Sequence, residues 1–284
     1  MADTKAAEGA TARRSASVLF WLAIVWLTVV VLSAVLAPWL PLPDPLRSDV
    51  PARLAPPLTP GHPLGTDGLG RDLLSRLVWG ARVSLTISVT VVVIAIVVGG
   101  ALGIFVGYTR GRIDGVTTGI LDVLLSVPPL ILVLGLVAFV GQSLVAVVAV
   151  LSILAIPGLA RVARANTMAI ADRDYVLAAR ALGATKGRIL VREILPAVAP
   201  TLVVIGLLVA GIFILVEGAL SFLGLSVQPP DASWGSLIGD GIRYMRQTLT
   251  VILVPIVTLF LTVVSLNYVG DRLRVRSEAR ESDL

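Results

Sequence analysis

The chain of 284 residues contains no cysteine and a single histidine, His62. Without cysteine it has no disulfide framework, no thiolate nucleophile and no thiolate metal site. A metal site needs several converging ligands, which one imidazole does not supply. With one His and no Cys, the chain also lacks a Ser-His-Asp, Cys-His or paired-His arrangement for hydrolytic chemistry. We therefore predict no catalytic, metal-binding or cofactor-binding residue.

A nucleotide-binding P-loop is missing too. That loop needs a Gly-Lys pair followed by Ser or Thr, whereas the two lysines of this chain, Lys5 and Lys186, each follow a threonine. The chain therefore cannot bind ATP through a P-loop, and any ATP that drives it must bind to another protein.

Charged residues are scarce: 14% of the chain is charged and 56% is hydrophobic, and the mean hydropathy is +0.94. These values lie far outside the range of soluble globular chains. A membrane span needs roughly 20 mostly apolar residues, and the apolar runs here are continuous rather than alternating, as in helices. We predict an all-α integral membrane protein with six transmembrane helices, over residues 18–40, 84–108, 120–140, 143–159, 197–216 and 248–269.

The basic residues are distributed unevenly between the two sides of this topology. With the N-terminus inside, 16 of the 23 Lys and Arg residues fall on the inner side, so the positive-inside rule predicts that both termini are cytoplasmic. The same asymmetry explains the net charge of +5 without a nucleic-acid partner, since nucleic acid would need a basic face outside the lipid bilayer. The predicted parts are cytoplasmic tails 1–17 and 271–284, a membrane domain 18–270, outer loops 41–83 and 217–247, and an inner loop 160–196.

The inner loop is strongly basic and has the signals of a short helix. Asp172 and Asp174 favour a helix start, and Gly183 favours its end. Several alanines offer a smooth surface on which another protein can pack, and basic side chains offer charge to an acidic rim. The alternative is an ordinary interfacial loop that is basic because it is cytoplasmic.

This loop resembles the cytoplasmic coupling loop of ATP-binding-cassette (ABC) importer permeases. It reads YVLAARALGATKGRILVREILP over residues 175–196. The general pattern is Glu-Ala-Ala, three residues, Gly, nine residues, then Ile-x-Leu-Pro; here Leu177 replaces the Glu and Glu193 replaces the Ile, while the other positions are in register. The form YVxAARALGA is similar to the dipeptide/oligopeptide/nickel branch of the family. The resemblance implies an ATPase-coupling surface made by Tyr175, Ala178, Ala179, Arg180, Ala181, Leu182, Gly183, Ala184, Arg188, Leu195 and Pro196.

Three further stretches agree with that branch, from about Pro60 onward. They read HPLGTDGLGRDLLSRLVWGARVSL from His62, EGALSFLGLSVQPPDASWG from Glu217 and NYVGDRLR from Asn267. The candidate residues for an outer gate in these stretches are Gly65, Asp67, Arg71, Asp72, Glu217, Ser221, Phe222, Gly224 and Trp234.

The two outer stretches also have an interpretation of their own. In the first, glycines suit tight turns, and Arg71 to Arg82 has the pattern of an amphipathic surface helix with Asp72 and Arg76 four residues apart. It is either a lead-in to the second span, or a segment that contacts an outer binding protein or gates the path. In the second, the proline pair and Trp234 indicate a chain that folds back toward the membrane, as a gate or as a static lid.

The chain is thus similar to the second permease subunit of peptide importers. The resemblance implies a type I ABC importer fold and a non-catalytic subunit in a bacterial cytoplasmic (inner) membrane. The implied partners are a homologous permease, an extracytoplasmic solute-binding protein, and two ABC ATPase subunits that bind the ATP and Mg²⁺. The implied solutes are dipeptides or oligopeptides, with nickel or glutathione as alternatives.

An ion-gradient-driven transporter or channel is the alternative from another class. Such proteins place ionisable residues or broken helices near mid-membrane, whereas the central parts of these spans contain no Asp, Glu, Lys, Arg or His. Asp122, near the inner end of the third span, is expected to pair with Arg110 or Arg112; the alternative is a role in the solute path.

Overall fold

The structure is a computed structural model that describes residues 2–140 and 143–282, and helices dominate it. Two π-helical segments, Ala95–Gly99 and Leu190–Ile194, keep neighbouring helices continuous, and short 3₁₀ turns lie at Ala37–Trp39 and Val50–Ala52. The α-helices are α1 (Ala2–Leu36), α2 (Leu73–Ile94), α3 (Gly100–Thr109), α4 (Gly111–Ser126), α5 (Pro129–Val140), α6 (Leu144–Ala171), α7 (Asp174–Ala181), α8 (Lys186–Ile189), α9 (Leu195–Phe222), α10 (Trp234–Ile242) and α11 (Thr250–Ser282).

Among the described residues, five helices are long and apolar enough to cross a membrane. They are Val18–Trp39, Leu73–Thr109, Leu144–Ala171, Lys186–Phe222 and Thr250–Val275. The predicted span 120–140 is instead divided between α4 and α5, because Val127 is extended and Pro128 and Pro129 lack a backbone N–H. The six-span count and the cytoplasmic position of the termini stay predictions.

The helices extend beyond the apolar windows seen in the sequence. Residues 73–82 form the first turns of the long helix Leu73–Thr109, which agrees with the lead-in alternative and not with a helix that lies on the outer surface. Leu73 and Arg76 are buried there. Parts of the expected tails are helical as well, since α1 begins at Ala2 and α11 runs to Ser282; residues 1, 283 and 284 of those tails lie outside the described residues.

Small residues bring α3 and α6 into close contact. Gly103 and Gly107 are one helical turn apart, and a Cβ on Gly103 would overlap the carbonyl oxygen of Ala160. A Cβ on Gly107 would lie 2.8 Å from the carbonyl oxygen of Arg164. Such small-residue seams allow backbones to approach in membrane bundles, where packing rather than water exclusion drives association.

Two long helices define the ends of the bundle. Leu73–Thr109 and Lys186–Phe222 each have 37 residues, or about 55 Å at 1.5 Å per residue, which exceeds a hydrocarbon core about 30 Å thick. They run in opposite directions, and the Ser88 hydroxyl on one donates to the Ala210 carbonyl on the other at 2.8 Å. We call the end with Thr109 and Lys186 the basic end, and the end with Leu73 and Phe222 the opposite end.

Candidate functional site

The predicted short helix lies at the basic end as α7, Asp174–Ala181. Asp174 occupies its first turn, where a carboxylate complements the helix dipole. Gly183 has φ +82°, its N–H donates to the Arg180 carbonyl (3.0 Å), and the Ala184 N–H donates to the Ala179 carbonyl (3.1 Å). This pair of bonds is the Schellman termination, which places glycine in the left-handed conformation. The predicted start and end of the helix are confirmed.

One side of α7 is attached to the bundle. Val176 is fully buried, and Ala179 and Ala184 pack against the same core cluster. The Arg180 guanidinium lies over the ring of Tyr108, 5.4 Å from its centroid, so a cation–π contact links α7 to the end of α3. Helix α7 is therefore anchored to the membrane helices at its centre.

The other side of α7 leaves apolar side chains uncovered. Tyr175 and Leu177 are each 43% exposed, and Leu182 is 88% exposed. Ala178 and Ala181 are also exposed. An apolar patch at a polar, basic end of a membrane protein is typical of a protein-interaction surface.

The remaining coupling candidates lie beside α7. The Thr185 side chain caps α8, accepting from the Arg188 N–H at 3.4 Å, and the Arg188 side chain is exposed. Leu195 and Pro196 begin α9 and are exposed. The π-helical segment Leu190–Ile194 precedes them and connects α8 to α9, so Pro196 lies within one continuous helix that begins at Lys186.

Ion pairs connect the helices of the basic end. Asp114 in α4 accepts from Arg164 in α6, at 2.7 Å for Nη2 and Oδ2, and this guanidinium holds the pKa of Asp114 below its ordinary value. Asp122 pairs with Arg161, so the expected pairing with Arg110 or Arg112 is wrong. Helix α4 thus faces α6.

The loop after α6 is tied down in the same way. Arg110 bonds Asp172 at 2.7 Å and the Met168 carbonyl at 3.2 Å. The entry to α7 is therefore fixed against the loop between α3 and α4.

At the opposite end, Asp67 organises the first loop. It is buried, and its Oδ2 accepts from Arg71 Nε (2.7 Å) and from Arg76 Nη1 (2.6 Å). Asp72 does not pair with Arg76, as its spacing had suggested; it caps α2 by accepting from the Ser75 N–H at 2.7 Å. A carboxylate at this position satisfies a donor that the helix start leaves free.

Glycine and histidine complete this loop. Gly65 has φ +81°, and a Cβ there would overlap the Ala55 carbonyl oxygen. His62 Nδ1 lies 2.9 Å from Asp72 Oδ1. Within the described part of the chain, no group of three metal-ligating side chains occurs.

The second loop folds back onto the bundle as α10. Trp234 is fully buried, and its indole N–H donates to the Leu77 carbonyl at 3.1 Å. Glu217 is also fully buried and accepts hydrogen bonds from the hydroxyls of Ser84 (2.9 Å), Ser221 (2.6 Å) and Ser226 (3.2 Å). This network joins α2, α9 and the loop after α9.

A cavity of about 460 Å³ lies between these two loops. Four predicted gate residues line it: Arg71, Ser221, Phe222 and Gly224. The other five, Gly65, Asp67, Asp72, Glu217 and Trp234, are not among its lining residues. Asp240 and Arg243, which also line the cavity, were not predicted from the sequence; their only signal was two opposite charges three residues apart at the end of α10.

Comparison with known proteins gives a consistent result. A family model described as "Binding-protein-dependent transport system inner membrane component" matches residues 99–282. A peptide transport system permease protein of Brucella suis is 39% identical over 256 residues, which cover 90% of this chain and 86% of the relative. The di/tripeptide transport system permease protein DppC of Pseudomonas aeruginosa is 37% identical over 256 residues, with 88% and 84% covered.

Another relative has a different named solute, and a solved structure shares the fold. The glutathione transport system permease protein GsiD of Pectobacterium atrosepticum is 37% identical over 213 residues, which cover 75% of this chain and 71% of the relative. An inward-facing structure of the MetNI methionine ABC transporter superposes with a TM-score of 0.60 at 23% identity, covering 72% of this chain and 97% of that chain.

Proposed function

The chain belongs to the family of binding-protein-dependent transport system inner membrane components and is a permease subunit of an ABC importer, and we propose that its solutes are dipeptides and other short peptides. The names of the relatives that match most of its length support this choice of solute. Its place is the cytoplasmic membrane of a bacterium, with the basic end inside and residues 120–140 making a sixth pass.

The basic end is the surface on which the ATPases act. The placement of α7 supports this proposal. Buried Val176 and the contact of Arg180 with Tyr108 fix α7 to the bundle, while Tyr175 and Leu182 remain uncovered. A partner that pushes on the uncovered side moves α3 and α6, because α7 is attached to them. The chain itself is non-catalytic, and ATP and Mg²⁺ bind on the two ATPase subunits.

The transport path needs more than this chain. A second, homologous permease encloses the path with it, and a solute-binding protein outside delivers peptide to the opposite end. ATP-driven closure of the ATPases then alternates access between the two sides.

Uptake of labelled alanyl-alanine tests the proposal in a strain whose other peptide importers have been removed. We expect that deleting this chain abolishes uptake, that restoring it repairs uptake, and that tripeptides compete. Uptake that persists after deletion would contradict peptide import. Competition by glutathione but not by dipeptides would instead favour glutathione as the solute, the second candidate that the 37% identical glutathione permease supports.

A further inference from the structure

The cavity at the opposite end carries charges of both signs. Three arginines, Arg71, Arg76 and Arg243, and two carboxylates, Asp231 and Asp240, line it. Its volume of about 460 Å³ lies within the range of small-ligand pockets, roughly 300–1,000 Å³. A concave site with both signs of charge suits a ligand that also has both.

Two of the arginines are held in place before any ligand arrives. Buried Asp67 bonds Arg71 Nε and Arg76 Nη1 at 2.7 and 2.6 Å, and the two guanidinium groups are mostly buried, with 14% and 4% of the side chains exposed. Their rotamer freedom is therefore already lost, which lowers the cost of binding a ligand.

The remaining ends of these guanidinium groups face Asp240 without bonding it closely. Asp240 Oδ2 lies 3.9 Å from Arg71 Nη2 and 3.7 Å from Arg76 Nη2, whereas charge-assisted hydrogen bonds measure about 2.7–2.9 Å. Burial raises the pKa of Asp240, although the charges of Arg71 and Arg243 act in the opposite direction. The Nη2 donors can therefore bind a better-placed carboxylate.

Arg243 supplies a third cation to the cavity, and its charge acts on Asp240. It follows α10 directly, and it is exposed. Among the described residues it has no carboxylate oxygen within 4 Å in any ion pair. Its guanidinium is thus available to a ligand.

We propose that this cavity is a transient binding site for the terminal groups of a small zwitterionic peptide, with its carboxylate on the arginines and its ammonium on Asp231 and Asp240. A simple anion would meet the two carboxylates, and a simple cation would meet the three arginines. A zwitterion satisfies both sets. The inference rests on the proposed function, since it names a solute subsite within the same importer.

Saturation-transfer-difference NMR tests the site on the assembled complex in detergent, without binding protein. The probes are alanyl-alanine, its C-terminal amide and its N-acetyl form. We expect a signal from the free dipeptide that weakens for both blocked forms. Arg243→Gln is expected to weaken binding about tenfold, the loss of roughly one charge-assisted hydrogen bond.

Matched variants separate the site from general changes in charge. Arg246→Gln removes an exposed arginine three residues further on that does not line the cavity, and binding should be unchanged. Asp240→Asn should reduce the preference for the free N-terminus over the N-acetyl form.

Three results would overturn the proposal. One is no signal from alanyl-alanine in a complex that restores dipeptide uptake in cells, which leaves the proposed function intact. A second is equal binding of the free dipeptide and its amide. The third is an Arg243→Gln variant that binds dipeptide normally but binds the solute-binding protein more weakly by surface plasmon resonance, which would make the cavity a protein-docking site. Failure of the proposed function itself would show as uptake that does not depend on the chain.

Discussion

Glu217 joins three parts of the chain through a single carboxyl group. Ser84 on α2, Ser221 on α9 and Ser226 in the following loop all donate to it, and it is fully buried. The Ser84 hydroxyl oxygen in turn accepts from the backbone N–H of Trp234 at 3.2 Å. Buried hydroxyl donors that lose their acceptor carry the full cost of desolvation, so the packing of the opposite end depends on this residue.

Replacing Glu217 by alanine should destabilise the protein. We expect a loss of about 2–3 kcal/mol, because three buried hydroxyls lose their acceptor and a cavity remains. The measurement is the thermal unfolding midpoint of the detergent-solubilised chain. Glu193→Ala, which truncates a half-buried glutamate at the basic end, is the control and should have a smaller effect. Equal unfolding midpoints for the wild type and Glu217→Ala would contradict the claim that Glu217 stabilises the packing of the opposite end.

Gly183 is the residue whose backbone conformation ends α7. Its φ of +82° is strained for any other residue, although a Cβ there would meet nothing within 4 Å. Gly183→Ala should make the native backbone conformation about 1 kcal/mol less favourable. The chain after α7 then changes direction, and we expect the ATPase to be retained about fivefold less strongly, the change in binding that corresponds to this energy. Co-purification of ATPase with the tagged chain measures this.

Gly187 provides the matched control for that experiment. It lies in helix α8, where a Cβ would also meet nothing within 4 Å, and its φ is not positive. Gly187→Ala should retain the wild-type amount of ATPase. Equal retention by both alanine variants would show that the left-handed turn at Gly183 does not matter for the partner.

Helix α10 packs on α9 through a glycine contact. A Cβ on Gly235 would overlap the backbone of Gly218, whereas a Cβ on Gly239 would have its nearest neighbour at an ordinary 3.5 Å. Helix α10 therefore lies close to α9 at its first turn and less closely one turn later.

The two glycines of α10 give a matched pair of substitutions. We expect Gly235→Ala to displace α10 and to make a cysteine placed at Trp234 reactive to a water-soluble maleimide, while Gly239→Ala leaves that position protected. The native chain has no cysteine, so a single introduced thiol reports without background. Equal labelling of that cysteine with and without Gly235→Ala would contradict the close packing.

Local signals in the sequence were enough for some elements and not for others. The limits of α7 follow from Asp174 and Gly183, which lie within or beside the helix. The predicted partner of Arg76 was wrong. Asp72 has the right spacing but caps α2, and Asp67 in the preceding loop pairs with Arg76 instead. Such a choice is decided by tertiary packing, which spacing along the chain does not contain.

The limits of the long helices and the residues that line the cavity could not be predicted from the sequence either. Apolar windows locate the bilayer-crossing part of a helix, but Leu73–Thr109 begins before that part and includes Arg76, which pairs with buried Asp67. The break at Pro128 was not predicted, because residues 120–140 form one long apolar run in the sequence. Asp240 and Arg243 can be recognised as cavity residues only in the folded protein, where they line the same cavity as Arg71.

The described residues form a helical bundle with an uncovered apolar patch at the basic end and a charged cavity at the opposite end. At the basic end α7 is anchored through Val176 and Arg180 and leaves apolar side chains uncovered. At the opposite end two loops enclose a charged cavity. This arrangement fits a subunit that receives force at one end and solute at the other. The central parts of the spans predicted from the sequence contain no Asp, Glu, Lys, Arg or His for ion coupling.

ATP-dependent uptake tests that account most directly. The assembled complex is reconstituted in proteoliposomes with binding protein and labelled alanyl-alanine outside, and with ATP and Mg²⁺ either present or absent inside. We predict uptake that requires internal ATP and survives a protonophore. Uptake without ATP that collapses when the protonophore is added would contradict the account and indicate an ion-gradient-driven transporter.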